Sequence, residues 1–473
     1  MEPQHIVSIE EHHSRKVVGS IEAGEGSSGA GQHPPATAME EKIEMLKRAG
    51  TQPGAVEGAK IQKVIFLLRD HKSFVKYFEP RVVSLGPMHH GNPKYHLGEM
   101  YKHKLAYEFV KQFGCNDGNT LDDDINYLHG KIKKEIKQLR GCFEEEVTKN
   151  YDDEALAWML FVDGCAILQY IFCAAKNKFE ELNIKNDSVA FAQQDLFLLE
   201  NQVPYRLLKL LMRYSGKEEQ LRNSIESFIQ NVNYQQTEQQ KQGERDPIHL
   251  LDLLRTRLLG PPPCPKAKPS SSRCPFTHQE DQDWQTYRNV QELKAAGIHL
   301  KRNKNNSYLR NISFTRRFGF DFYSGYLCLP PITVDDSTAP KFMNLIAYEM
   351  CLDFENDFGV SSYISFLDSL IDEANDVKYL RKARVLHNFL GSDQEVAELF
   401  NAIGTDLVPN AEAYKDVKIQ IQAYYESKWL TWMAQFRQDH FSNPWTIIAF
   451  LGVLLVLALT SVQAWFAVFP AKK

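Results

Sequence analysis

The chain lacks several of the short patterns that announce catalytic or metal chemistry. No H-E-x-x-H, no Cys/His zinc spacing, no G-x-S-x-G and no G-x-x-x-x-G-K-[ST] occurs in its 473 residues. Their absence leaves zinc hydrolysis, a serine nucleophile on a strained elbow and a P-loop without support. Of the eight cysteines none forms C-x-x-C, and Cys165 and Cys173 stand eight residues apart in a helical pattern. That spacing separates them by about 12 Å along the axis, beyond disulfide reach. Cys264 and Cys274, each followed by proline, are the only sequence-near pair left, so a reduced, cytosolic chain is the simplest reading. A basic surplus is missing as well. With 55 Lys and Arg against 60 Asp and Glu, nucleic acid is not the expected partner. Met1–Ser20 holds no apolar run behind a basic start, so no cleavable signal is expected, and no internal repeat is visible.

What is present begins at the other end. Trp445 to Phe469 reads WTIIAFLGVLLVLALTSVQAWFAVF without a charge. As a helix it would be about 37 Å long, against a hydrocarbon core of about 30 Å. Trp445 and Trp465 near its ends and Lys472 and Lys473 beyond it suit the two interfaces. The expectation is a single transmembrane anchor, with the lipid bilayer as one partner. Lys428 and Arg437 before it balance Lys472 and Lys473 after it, so charge assigns no orientation. The short tail and the missing signal favour a tail-anchored protein with its bulk in the cytosol, at the plasma membrane or an endomembrane, with a non-cleaved anchor and an external domain as the alternative.

Ahead of the anchor, composition divides the chain into a disordered tail (1–58), a helical part (59–259), a Pro/Ser-rich linker (260–283) and a part with a small sheet and helices (284–440). A short charged helix, Met39–Arg48, interrupts the tail. Arg81–Ser84 is β-like. Helical spacing covers Leu97–Phe113, Asp124–Thr148, Asp153–Ala175, Gln194–Arg213 and Ile248–Leu259, then Asn289–Ala296. Short β runs at 298–300, 309–314, 319–322, 326–329 and 332–334 predict a small antiparallel sheet. Val360 to Leu380 keeps one helical stripe, and Asp393–Ile403 and Tyr414–Phe436 are further helices. The fold class is mainly α-helical with a small antiparallel sheet and one C-terminal transmembrane helix.

Four places hold functional-looking chemistry. Pro80 to Gly91 sets His89 and His90 beside a Gly86-Pro87 turn, and His96, Glu99 and His103 downstream share a helix face. Adjacent histidines seldom reach one ion, so a turn histidine bonded to backbone is favoured over a metal site. Asp163-Gly164-Cys165 lies in an apolar helical run, where a cysteine is ordinarily a small core residue. Glu200-Asn201-Gln202 before Pro204 reads as a buried hydrogen-bonding corner rather than a ligand clamp. Basic residues at 301–304 and 316–317 are candidates for anionic lipid, with a solvated loop the plainer reading.

Taken together, the blocks PRVVSLGPMHHG (80–91), MLFVDGCAIL (159–168), DLFLLENQVPYRLL (195–208), HLLDLLR (249–255), FMNLIAYEM (342–350), DVKYLRKARVLHNFLGSDQEVAELFN (376–401) and NPW (443–445) resemble the plant family of unknown function numbered 247, the UPF-type plant membrane proteins. The resemblance spans roughly 60–470 and marks Pro80, Gly86, Pro87, His89, His90, Gly91, Asp163, Gly164, Cys165, Glu200, Asn201, Gln202, Pro204, Asn344, Glu349, Gly391 and Asn401 as motif residues. This chain departs where the family carries Glu (Gln169 here) and Gly (Ala383 or Arg384 here). The family has no established catalytic residues, so the resemblance implies no catalytic, metal or cofactor residue and no cofactor. Some members are implicated in self-incompatibility recognition in grasses, which implies recognition or signalling through an unknown protein partner. A membrane-tethered hydrolase, built on the histidines or Cys165, and a passive scaffold are the alternatives.

Overall fold

The computed structural model describes residues 39, 42–44, 46–47, 60–70, 74–114, 120–233, 245–261, 289–303, 307–317, 324–405, 407–425 and 444–468. The chain divides into two compact units, Met1–Val56 and Glu57–Lys473. In the first, the six described residues are exposed and helical and fall within the charged helix expected at Met39–Arg48. The rest of the tail, most of the expected linker and the run 319–322 lie outside the described residues.

The second unit opens with α1 (Phe66–Arg69), α2 (Phe74–Phe78), α3 (His96–Phe113), α4 (Leu121–Arg140), α5 (Glu145–Thr148) and α6 (Asp153–Lys176). There follow α7 (Asn186–Asp195), α8 (Tyr205–Tyr214), α9 (Glu218–Asn233), α10 (Leu250–Leu259) and α11 (Val290–Ala295). Strands β1 (Ile298–Arg302), β2 (Ser313–Arg317), β3 (Ser324–Leu329) and β4 (Ile332–Val334) precede α12 (Thr338–Glu349), α13 (Gly359–Asp368) and α14 (Ala374–Lys382). The chain then forms β5 (Leu386–Asn388), α15 (Asp393–Ile403), α16 (Lys415–Tyr425) and α17 (Pro444–Val468).

Helix α6 is the axis of the helical lobe, with α3, α4, α8 and α9 packed around it. Its residues from Met159 to Cys173 are all buried, which suits a segment apolar on every side. Asp152 caps it, accepting from Ala155 N at 2.7 Å. Thr120 and Asp123 form a capping box that starts α4. Two helices, α6 and the stretch Ile448–Trp465 of α17, are long and apolar enough to cross a membrane; the first is buried inside the fold and the second is wholly exposed.

Several predicted helices are broken where other groups take over their backbone partners. The expected helix 124–148 divides at Gly141–Glu144, where Ile61 N donates to Cys142 O (2.8 Å) and Glu144 N to Ile61 O (3.0 Å). The expected helix 194–213 divides at the Glu200 corner. The stripe at 360–380 becomes α13 and α14 because Asp376 accepts from both Asp372 N and Glu373 N at 3.1 Å. Arg81–Ser84 forms no strand.

The sheet is mixed. Strand β3 lies in the middle, antiparallel to β2 but parallel to β1, and β4 pairs in parallel with β5. The all-antiparallel expectation therefore fails for β1 and for the β4–β5 pair. Alternating short runs mark strands but say nothing about which neighbour each one meets.

Candidate functional site

The loop 80–91 is held along its length by carboxylates and amides from elsewhere in the chain. Asp195, at the end of α7, accepts from Arg81 N (2.9 Å), Val82 N (2.8 Å) and Val83 N (2.9 Å). Those are the donors that a neighbouring strand would otherwise satisfy, which explains why a β-like sequence forms no sheet. Asn201 continues the row: its Oδ1 accepts from Leu85 N at 2.7 Å, while its Nδ2 donates to Val83 O and Asp195 O. Gly86 N then donates to Asp163 Oδ2 at 2.7 Å. Gly86 has φ +65°, and a Cβ there would lie 2.7 Å from Gln202 O. Both its backbone conformation and its neighbour demand glycine.

Asp163 is fully buried near the middle of α6 and pairs with Lys102 Nζ of α3 at 2.7 Å. Glu99 lies 2.8 Å from the same ammonium. Burial opposes the charge on Lys102, but Asp163 and Glu99 more than offset it and hold the lysine above its ordinary pKa. The Asp163 carboxyl is pushed up by burial, against the pull of Lys102 and of the Gly86 N–H. Gly164 brings α6 close to Leu207 and Leu211 of α8. Cys165 is wholly buried, which pushes its thiol well above the ordinary value. That makes it a small core residue and a poor nucleophile.

The Glu200 corner works the same way. Glu200 accepts from Val64 N at 2.8 Å and pairs with Arg69 of α1. Gln202 donates to Leu196 O (2.9 Å) and Leu198 O (2.7 Å) and accepts from Leu251 N of α10. Pro204 precedes the first turn of α8. Asn344 of α12 accepts from Leu199 N and donates to Tyr77 O, both at 2.7 Å. Glu349 binds Arg255 Nε (2.8 Å) and the N-terminus of α13 through Val360 N and Ser361 N.

Of the remaining motif residues, Pro80 and Pro87 are buried in the loop and the others are half-buried or exposed. Pro87 O accepts from Tyr151 Oη at 3.1 Å. Pro80 is buried at the start of the loop. His89 Nε2 lies 3.7 Å from Glu200 Oε2, short of a hydrogen bond, and burial lowers its pKa against the pull of that carboxylate. His90 and Gly91 are exposed, with the His90 ring edge-on to Tyr151. Gly391 N donates to Glu395 in the turn before α15, and Asn401 Nδ2 donates to Asp372 O. The structure therefore brings together Gly86, Asp163, Glu200, Asn201 and Gln202, and leaves Gly391 and Asn401 in a separate place. His96 is exposed, His103 bonds the Glu99 carbonyl and Glu99 pairs with Lys102. Among the described residues no group of three His, Cys, Asp or Glu is placed to hold a metal ion.

Sequence reasoning missed Lys102, Asp195, Asp252 and Arg255. Lys102 had a signal, since Gly98, Lys102, Leu105 and Phe109 share one buried face of α3. Asp195 opens the block 195–208, but nothing local separates it from an ordinary acid at a helix end. Asp252 is fully buried, takes both arms of Arg245 (2.9 and 2.8 Å) and accepts from Ile248 N.

The family model for a plant protein of unknown function matches residues 61–459. The chain belongs to that family. It is similar to UPF0481 protein At3g47200 of Arabidopsis thaliana, 27% identical over 85% of this chain and 86% of that one. It is also similar to Putative UPF0481 protein At3g02645 of the same plant, 22% identical over 83% of this chain and 88% of the relative. No solved structure matches. The family blocks at 80–91, 159–168 and 195–208 are thus three faces of one buried polar assembly.

Proposed function

We propose that the chain is a membrane-anchored recognition protein, non-enzymatic, with α17 as the anchor and the bulk on the cytosolic side. One observation carries the reading. The buried polar side chains of the family blocks bind the chain's own backbone, and the loop they hold rigid ends in an exposed tip, His90-Gly91. A rigid loop loses little conformational entropy when a partner docks on it. The anchor has the length and apolarity to span a bilayer.

The test is affinity purification from plant membranes, comparing the native chain with His90→Glu. A reproducible protein partner that the variant loses, at unchanged thermal stability, is the expected result. The absence of any reproducible partner, or a partner set indifferent to His90, would count against a recognition role.

A further inference from the structure

The loop 80–91 is fastened closely only through its first half. Arg81, Val82, Val83, Leu85 and Gly86 all give their N–H groups to buried side-chain oxygens. Beyond Gly86 the hold is slighter: Tyr151 donates to Pro87 O at 3.1 Å, and Asn92 N reaches His89 O at 3.4 Å. The His89 side chain is only 16% exposed there. Its Nε2 is buried and has no hydrogen-bond partner among the described residues. Facing it at 3.7 Å is Glu200 Oε2. That carboxylate is fixed from its far side, where Oε1 accepts from Val64 N at 2.8 Å and pairs with Arg69 of α1. The other groups around the ring are Tyr95, edge-on at 6.2 Å, and Glu79 and Lys94, which pair with each other at 3.4 Å.

We propose that this gap is a pH-operated latch, in which a proton on His89 closes it into an ion pair with Glu200 and fastens the tip of the loop. A neutral imidazole gains little across 3.7 Å, since hydrogen bonds end near about 3.2 Å. An imidazolium is drawn to the roughly 2.8 Å of a charge-assisted bond, a movement of about 1 Å. Glu200 cannot retreat without giving up Val64 N and Arg69, so the ring makes the movement. Burial, joined by Lys94 and Arg69, opposes the charge on His89 and outweighs Glu200 and Glu79, which favour it. The latch is therefore open at neutral pH and closes in acid, below the ordinary histidine value of about 6.5. Its bearing on docking rests on the recognition reading above: a tip already fastened loses less entropy when a partner lands on it.

Nitrogen NMR of the full chain, labelled at its histidine rings and held in detergent micelles, reads the latch directly, with His89→Gln assigning the resonance. On titration into acid, His89 is expected to gain its proton below about pH 6.5. Once charged, its Nε2 proton should exchange with water several-fold more slowly than the ring protons of exposed His90. In Glu200→Gln the midpoint should fall further and the slow exchange disappear. A charged His89 ring that exchanges as fast as His90 has swung out to solvent, and that result overturns the proposal. So does a midpoint that Glu200→Gln leaves unmoved. The exchange rate in the native chain decides the question even where Glu200→Gln fails to fold. A partner lost with His90→Glu, beside a His89 ring that never pairs, overturns the latch and leaves the recognition reading standing; a paired ring with no partner does the reverse.

Discussion

Arg384 illustrates how one residue type can sit where its backbone prefers another. Helix α14 ends in a Schellman turn: Val385 N donates to Leu380 O at 3.0 Å and Arg384 N to Arg381 O at 2.9 Å. That turn puts Arg384 at φ +58°, and the family resemblance implies glycine at 383 or 384. Arg384→Gly is expected to stabilise the chain by about 1 kcal/mol by removing the left-handed strain, read as a rise in melting temperature. His249 offers a second residue-scale test. It caps α10 by accepting from Asp252 N at 3.1 Å, and burial pushes its pKa down to about 4. Between about 6.5 and about 4 the unfolded chain binds a proton that the folded chain refuses, so stability falls as pH drops through that window. The loss is about 2 kcal/mol between pH 7 and pH 5. His249→Asn keeps a capping acceptor, and its melting temperature should depend less on pH over the same range.

At the scale of the element, helix existence was legible and helix breaks were not. The 3.6-residue period located α3, α6, α10 and α15 to within a few residues. It ran straight through the breaks at Gly141–Glu144, the Glu200 corner and Ser369–Glu373, because those depend on hydrogen-bond partners that the period does not register. Asp195 and Asn201 reach back over more than a hundred residues to hold the loop at 81–85, which no local pattern records. Close packing has the same character. A Cβ at Gly98 of α3 would lie 2.1 Å from Val82 O, whereas one at Gly130 of α4 meets nothing within 4 Å. Gly98→Ala should therefore lower the melting temperature, by a destabilisation of about 2 kcal/mol or more. Gly130→Ala should raise it by up to about 1 kcal/mol, since alanine loses less entropy in a helix.

For the whole molecule, the question is which apolar helix lies in the fold and which lies outside it. Truncation before Pro444 is expected to move the chain from the carbonate-resistant membrane pellet to the soluble fraction, because α6 is enclosed by α3, α4, α8 and α9. A truncated chain that stayed in the pellet would mean that α6 or another surface holds the membrane. The candidate site was legible in part at this scale: the blocks at 80–91, 159–168 and 195–208 stood out in the sequence, but their convergence did not.

By itself the sequence determined the family, the mainly helical class and one charge-free C-terminal stretch long enough to cross a bilayer. Only the tertiary structure shows why α6, a second helix long and apolar enough to do so, lies inside the fold. Asp163 sits near its middle, and a carboxyl in apolar surroundings is costly unless a cation and donors meet it. Lys102 from α3 and Gly86 N from the loop at 80–91 meet it here, at 2.7 Å each. Those partners lie 61 and 77 residues away in the chain, so only folding brings them to Asp163 and makes α6 a core helix.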